Sequence, residues 1–234
     1  MLSHANLPDP STNTVKILDV GCGVGGTSIK LSLLGYQMTG VSLSPKQIEM
    51  AKENMAKENA NVRFICMDGE QLDFPGEDGT FDAVWISEAL SHFPHKEKFF
   101  QHTMRLLKPG GKWVCVDWFK ADNISQRLTD GVVADIEKGM LLPKLEPVSR
   151  YFTLFTEAGG RIIYVDDVSK YCARTWDICL DLIAKPALWK MAWTMGSDFV
   201  AFLNAFKAMR DGFAVGAFRF TIVIGEKPTV EESN

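Results

Sequence analysis

The stretch ILDVGCGVGG, Ile17 to Gly26, places four glycines within ten residues, directly behind an apolar run. That run, Val15 to Val20, suits a short strand buried on both faces. Glycines that follow at once let the chain turn sharply and let a ligand approach the backbone closely. Thr27 to Leu34 then reads as a helix stopped by Gly35. Two cofactor classes use a glycine turn between strand and helix, and both of their spacings occur here. Gly21, Gly23 and Gly26 satisfy G-x-G-x-x-G, while Gly21, Gly23 and Gly25 satisfy G-x-G-x-G. The rest of the chain has to choose between them.

The alternation continues downstream. Gln37 to Ser42 is a second short strand. Ser44-Pro45 opens a helix, with an N-cap serine and a proline at the first helical position, that runs to about Asn59. Val62 to Met67 and Phe81 to Ile86 are further strands. Lys96 to Leu107 is a helix that ends before KPGG, and Trp113 to Val116 begins a fifth strand. Strands and helices alternating at this pace predict an α/β protein, a parallel sheet wound on both faces. Ligands of such sheets bind beyond the C-terminal strand ends, near the point where the strand order reverses. The glycine loop lies there.

After Phe119 the pattern changes. Ala121 to Lys144 reads as helix and loop. Tyr151 to Thr156 precedes a turn at Gly159-Gly160, and Arg161 to Val165 is a strand. Helices are expected from Asp167 through Leu182, from Pro186 through Trp189, Met191, Trp193 and Met195, and around Phe199, Phe202, Phe206 and Met209. Phe218 to Gly225 is a closing strand. One domain over 1–234 is expected: a cofactor-binding core at 15–120, mostly pocket and lid helices at 121–215, and a last strand at 216–226. A chain of 234 residues stays below the ~250–300 at which single cores stop growing.

The net charge of -4 argues against a partner that needs a general basic surface, so no nucleic acid is expected. The five cysteines contain no C-x-x-C pair and the four histidines no metal-ligand spacing. No metal site is expected. The thiols read as reduced and mostly buried, which fits a cytoplasmic protein. No apolar run reaches the ~18–20 residues of a transmembrane helix, and the N-terminus lacks a leader pattern.

A dinucleotide site wants an acid at the end of the second strand to bind a ribose. Here that strand ends GVSLSP, with Ser42 and Ser44 in its place, and no arginine stands nearby for a 2′-phosphate. An NAD(P)-dependent oxidoreductase is therefore disfavoured. Asp19 lies two residues before Gly21, where an anion would be penalised beside a pyrophosphate but can meet an ammonium group. Asp68, in the MDGE that follows the third strand, can accept from an adenine amino group. These features favour S-adenosylmethionine (SAM).

In this company the chain resembles the class I SAM-dependent methyltransferases. ILDVGCGVGG matches their first motif, CMDGEQLDFP their adenine-contacting segment, and LLKPGGKW the turn before their fifth strand. GVSLSPKQIEMAKEN and the tail DFVAFLNAFKAMRDGFAVGAFRF are similar to the tocopherol methyltransferase group, with sterol C-24 and alkaloid N-methyltransferases as relatives. The resemblance implies a Rossmann-like, mostly parallel seven-stranded sheet with an antiparallel C-terminal strand. It also implies SAM as cofactor, with S-adenosylhomocysteine (SAH) as product. The expected acceptor is a hydrophobic small molecule: a terpenoid, a prenylated aromatic, a sterol-like compound or an alkaloid. The implied cofactor set is Asp19, Gly21, Cys22, Gly23, Gly25, Ser42, Leu43, Gln47, Asp68, Gly69, Glu70 and Ser87. Those relatives usually carry a long N-terminal segment that covers the cofactor, and only a short polar stretch precedes the first strand here. The expectation is a lid supplied from elsewhere (a partner copy in a homo-oligomer is one source), an open site or a shortened form.

Methyl transfer is an in-line displacement, so the protein mainly aligns the reactants and excludes water; a base serves where the nucleophile must lose a proton. In WISEALSHFPHKEKF, Glu88 and His92 stand four residues apart and would share one face of a helical turn. A similar E-x-x-x-H segment lines the reaction centre of the alkaloid and cyclopropane-forming relatives, which makes these two the catalytic candidates. The plain alternative is a histidine that caps a loop and a glutamate that binds a backbone amide. Trp118, Phe119, Trp189 and Trp193 are expected at the acceptor, although helical aromatic spacing also marks ordinary core. A catalytically silent SAM-binding module is the remaining alternative.

Overall fold

The computed structural model describes residues 1–183, 185 and 197–229. Its central feature is a seven-stranded sheet, β1 Lys16–Val20, β2 Gln37–Ser42, β3 Val62–Cys66, β4 Phe81–Ser87, β5 Leu107–Lys120, β6 Arg161–Asp167 and β7 Phe218–Glu226, in the order β3-β2-β1-β4-β5-β7-β6. The strand pairs β1/β2, β1/β4, β2/β3 and β4/β5 are parallel. β7 runs against its neighbours: the amide of Gly110 donates to Lys227 O, and that of Ala121 to Ala217 O, so the partner number falls as the first rises. The expected mostly parallel sheet with an antiparallel closing strand is present.

The chain forms two compact units. The first comprises 1–117, 152–165 and 222–234, the second 118–151 and 166–221. In the first, β1 is the middle of a parallel sheet and is buried along nearly its whole length, which is why it reads as an unbroken apolar run. Helices α1 Leu2–Ala5, α2 Gly26–Leu33, α3 Pro45–Lys57 and α4 Lys96–Leu106 belong to this unit. Ile29 and Leu31 of α2 and Ile48 and Ala51 of α3 close over Ile17, Met38, Phe64 and Trp85. Phe100 stands edge-on to Trp113 at 4.9 Å, and Trp113 packs at 4.9 Å on Phe155. The Ser44 hydroxyl accepts from Gln47 N at 3.3 Å, and Pro45 occupies the first turn, so α3 starts where its cap predicts.

In the second unit lie α5 Gln126–Leu128, a π-helical turn at Thr129–Val133, α6 Ala134–Gly139, α8 Ser169–Ile183 and α9 Ser197–Ala214, while α7 Val148–Glu157 runs from it into the first unit. Tyr151 to Thr156 is thus helical. Trp118 stacks parallel to Phe218 at 5.5 Å and contacts Phe220, Trp176 and Phe213. The expected helix with Trp189, Met191, Trp193 and Met195 falls outside the described residues, as do the side chains of Phe199 and Phe202. No helix among the described residues is long and apolar enough to cross a membrane.

Candidate functional site

Where β1 ends, Gly21 and Cys22 both donate their amides to Val41 O at 2.9 Å, tying the glycine loop to β2. Gly21, Gly23 and Gly25 all adopt φ values that only glycine adopts without strain, at 77, 54 and 86°. Their surroundings differ. A Cβ on Gly21 would stand 2.3 Å from the Cβ of Ala89, one on Gly25 2.7 Å from the Phe64 ring, and one on Gly23 would meet nothing. Gly21 thus lets the loop close on the segment after β4. Gly25 caps α2 and lets it settle on β3, and Gly23 leaves an open backbone face.

These elements surround a cavity of about 560 Å³ in the first unit, beyond the C-terminal ends of β1, β2, β3 and β4. Gly21, Gly23, Ser42, Leu43, Gln47, Asp68, Gly69, Glu70, Glu88 and His92 line it, together with Met67, Ala89, Phe93 and Pro94. On one side Ser42 Oγ donates to Gln47 Oε1 at 2.7 Å and accepts from Ser44 N, so the end of β2 and the start of α3 hold each other. Leu43 projects beside them and is 71% exposed, an apolar side chain with no core to enter. Across from it Asp68 Oδ1 accepts from Glu70 N at 2.9 Å, closing the turn after β3. Glu70 is committed elsewhere: its carboxylate accepts from the amide of His95. Gly69 has Phe93 against it, where a Cβ would lie 2.4 Å from the ring.

Asp19 sits one layer deeper, 2% exposed on β1, and its Oδ2 accepts from Ser28 Oγ at 2.6 Å. Burial raises its carboxyl from the ordinary 3.8 to about 6, against the opposing pull of the Ser28 hydrogen bond. Cys22 is pushed up to about 12, first by burial and then by the Asp19 charge, so its thiol is inert as a nucleophile. Ser87 closes β4, paired with Val116.

The expected helical turn from Glu88 to His92 is absent. Glu88 has φ 53°, and only Leu90–His92 forms a short 3-10 helix. Ser87 is the last residue paired to β5, Glu88 N completes that parallel ladder by donating to Val116 O at 2.9 Å, and the left-handed φ of Glu88 turns the chain before the short helix begins. Both side chains still face the cavity, brought together by that bend rather than by helical periodicity. A non-glycine residue held in the left-handed region is costly and concentrates at functional sites. His92 is open to solvent on one side. Loss of hydration on the other, followed by the Lys96 ammonium, holds its imidazole below the ordinary value of 6.5.

Trp118 and Phe119, expected at the acceptor, belong to the second unit and are absent from the residues lining this cavity. Phe119 is buried against Tyr151 at 4.8 Å, and Trp118 lies in the aromatic cluster described above. Trp189 and Trp193 lie outside the described residues. Among the described residues no His/Cys/Asp/Glu group could hold a metal ion. Sequence reasoning passed over Asp117, which is fully buried and accepts from Leu90 N at 2.7 Å and Ser91 N at 3.3 Å. Its signal was present: an acid directly behind the apolar WVCV, as Asp19 stands in ILDV. Ala89 and Phe93 carried no such signal, because their part is one of fit.

Residues 17–111 match the family described as a methyltransferase domain. Tocopherol O-methyltransferase, chloroplastic, of Arabidopsis thaliana is 29% identical over 222 residues, 91% of this chain and 63% of that protein. 2-Methyl-6-phytyl-1,4-hydroquinone methyltransferase of Synechocystis is 41% identical over 108 residues, 46% of this chain and 33% of the relative. The chain thus spans less than two thirds of the length of these relatives. The fold matches geranyl diphosphate C-methyltransferase of Streptomyces coelicolor, solved with S-adenosyl-L-homocysteine, at a TM-score of 0.75 and 17% identity, covering 97% of this chain and 77% of that one. Motifs, sheet order and relatives agree: residues 17–111 carry a methyltransferase domain, and the chain is similar to the class I SAM-dependent methyltransferases, the tocopherol enzymes among them.

Proposed function

We propose that the chain binds SAM in this cavity and transfers its methyl group to a hydrophobic small molecule of the prenylated aromatic, terpenoid or sterol-like kind. The observation that carries the reading is one cavity of about 560 Å³ onto which Gly23, Ser42, Gln47, Asp68, Glu88 and His92 all open. Its size is that of small-molecule sites, about 300–1,000 Å³. The residues present fit the cofactor. Gly23 offers backbone that no side chain obstructs. Asp19 is an anion beneath the loop for an ammonium group, met directly or through water. Ser42 and Gln47 offer hydrogen bonds for ribose hydroxyls, Asp68 an acceptor for the adenine amino group, and Leu43 an apolar cover. When bound, SAM supplies a methyl group already activated by the positive sulfur.

The chain's own residues then do the rest. Glu88 and His92 border the reacting space; His92, held below 6.5, is neutral at physiological pH and able to accept a proton from an acceptor hydroxyl, amine or carbon acid. Glu88 orients the acceptor or balances charge that develops on it. Whether carbon, nitrogen or oxygen is methylated depends on the acceptor presented to these two groups. A reducing, cytoplasmic setting suits the five free cysteines.

The test is calorimetric titration with SAM, SAH and NAD(P)H, followed by methyl transfer from labelled SAM to prenylated quinols, sterols and alkaloid amines. Micromolar binding of SAM and SAH with transfer to a lipophilic acceptor is expected. NAD(P)H binding instead would overturn the reading of Asp19 and Ser42, and SAM binding without transfer to any acceptor would favour a silent module.

A further inference from the structure

The segment that carries Glu88 and His92 has a structural deficit. A short helix needs acceptors for the amides of its first turn, normally a Ser, Thr, Asp or Asn at the N-cap. The N-cap of Leu90–His92 is Ala89, which has no side-chain oxygen and makes no capping hydrogen bond. Ala89 is small for a reason outside its own segment. The glycine loop presses on it so closely that a Cβ on Gly21 would stand 2.3 Å from the Ala89 Cβ. A longer capping side chain at position 89 would collide with the backbone that must also approach the cofactor.

We infer that Asp117, 27 residues further along the chain, supplies the missing cap and is the positioning residue for Glu88 and His92. Its Oδ2 takes the amide of Leu90 at 2.7 Å and that of Ser91 at 3.3 Å, the first two residues of the short helix. The β4/β5 register puts it in place. Ser87 pairs with Val116, so the next residue of β5 stands beside the point where the chain leaves β4. Val116 O takes the Glu88 amide at that same point. Glu88 is therefore gripped on its N-terminal side by β5 backbone and on its C-terminal side by the capped turn. That grip can hold a left-handed φ of 53° which the residue would not adopt by itself. Glu70, through the amide of His95, fixes the far end of the same segment. Asp117 is fully buried and absent from the cavity lining, so it acts through Glu88 and His92 and touches no ligand.

The proposal rests on the methyltransferase reading for its kinetic consequence and on geometry alone for its structural one, and the experiment separates the two. Full-length Asp117→Ala and Asp117→Asn are compared with the wild type by hydrogen exchange of the peptide containing Leu90–His92, by SAH titration and by methyl-transfer kinetics. Asn keeps an oxygen acceptor, Ala does not. In Asp117→Ala, exchange at Leu90 and Ser91 should rise at least about tenfold. The turnover number should fall roughly a hundredfold, the loss expected from a misplacement of about 1 Å, while SAH affinity stays within about threefold. Asp117→Asn should restore most of the turnover and the protection. A purely structural aspartate would instead lower thermal stability and leave turnover per folded molecule unchanged, which would overturn the proposal. If the wild type methylates no acceptor, the functional reading fails. The exchange data then still decide the cap: faster exchange in Asp117→Ala upholds it, and unchanged protection overturns it.

Discussion

Asp19→Asn should move stability and cofactor affinity in opposite directions. Asp19 is 2% exposed, and burial raises its carboxyl from 3.8 to about 6. The folded protein therefore favours the protonated form. A group with a raised folded pKa costs nothing below about pH 4, where it is protonated in both states. It costs progressively more as the pH climbs to about 6, where the unfolded chain has already ionised and the folded one has not. A rise of roughly two in pKa corresponds to about 3 kcal/mol, fully expressed above pH 6 and about half expressed at pH 5. Asparagine has no charge to desolvate and can still accept from Ser28. In urea unfolding without cofactor, Asp19→Asn should be more stable than the wild type by about 1–3 kcal/mol at pH 7.5, and the gap should close by pH 4. The same substitution should weaken SAM by about tenfold or more, since charge-assisted hydrogen bonds contribute about 1.5–3 kcal/mol. In the wild type, SAM should bind with proton release between about pH 4 and 6, read from calorimetry in buffers of different ionisation enthalpy, and affinity should fall below pH 6. A variant less stable than the wild type at pH 7.5, or SAM affinity independent of pH from 5 to 7.5, would refute the assignment of a strained anion held for a cationic ligand.

Removing the imidazole with His92→Gln should lower turnover about 10²–10⁴-fold with SAH affinity retained, if the acceptor must lose a proton; a rate within twofold of wild type would show that no base is used there. The wild-type kcat/KM should stand at its plateau at neutral pH and decline only below 6.5, because burial and Lys96 depress the imidazole; a decline already beginning above 6.5 would contradict His92 as the base. Gly21→Ala should lower the unfolding free energy by about 1–3 kcal/mol and weaken SAM, since it forces φ 77° on a residue with a Cβ and drives that Cβ into Ala89; unchanged melting and binding would contradict the close approach. Ser44→Ala should cost about 1 kcal/mol in thermal unfolding through the lost cap of α3, with turnover per folded enzyme near wild type.

Much of the first unit could be read without coordinates because its signals are local. A buried parallel strand must be apolar throughout, a tight strand-to-helix turn must be glycine-rich, and a helix that starts at Ser-Pro announces its own cap. These properties belong to a few consecutive residues, so β1, the glycine loop, α3 and the cofactor class were all legible in order along the chain. Glu88 and His92 were chosen as candidates for a local reason that did not hold, although both line the cavity. The spacing implied a helical face, whereas the chain turns at Glu88 through a left-handed φ, just past its last hydrogen bond to β5, and only Leu90–His92 is helical. The partners of that bend lie far away in sequence, and spacing carries no information about them. Ala89 is small because Gly21 lies on it, Gly69 is bare because Phe93 fills its space, and Asp117 is acidic because a turn 27 residues earlier lacks a cap. For Trp118 and Phe119 the strand-end position suggested the acceptor, while their neighbours, Phe218 and Phe220 for the one and Tyr151 for the other, are known only from the fold. Sequence alone determined which elements form and which cofactor suits them. The tertiary structure decided which side chains meet, because hydrogen-bond satisfaction and close packing are settled between segments that only the fold brings together.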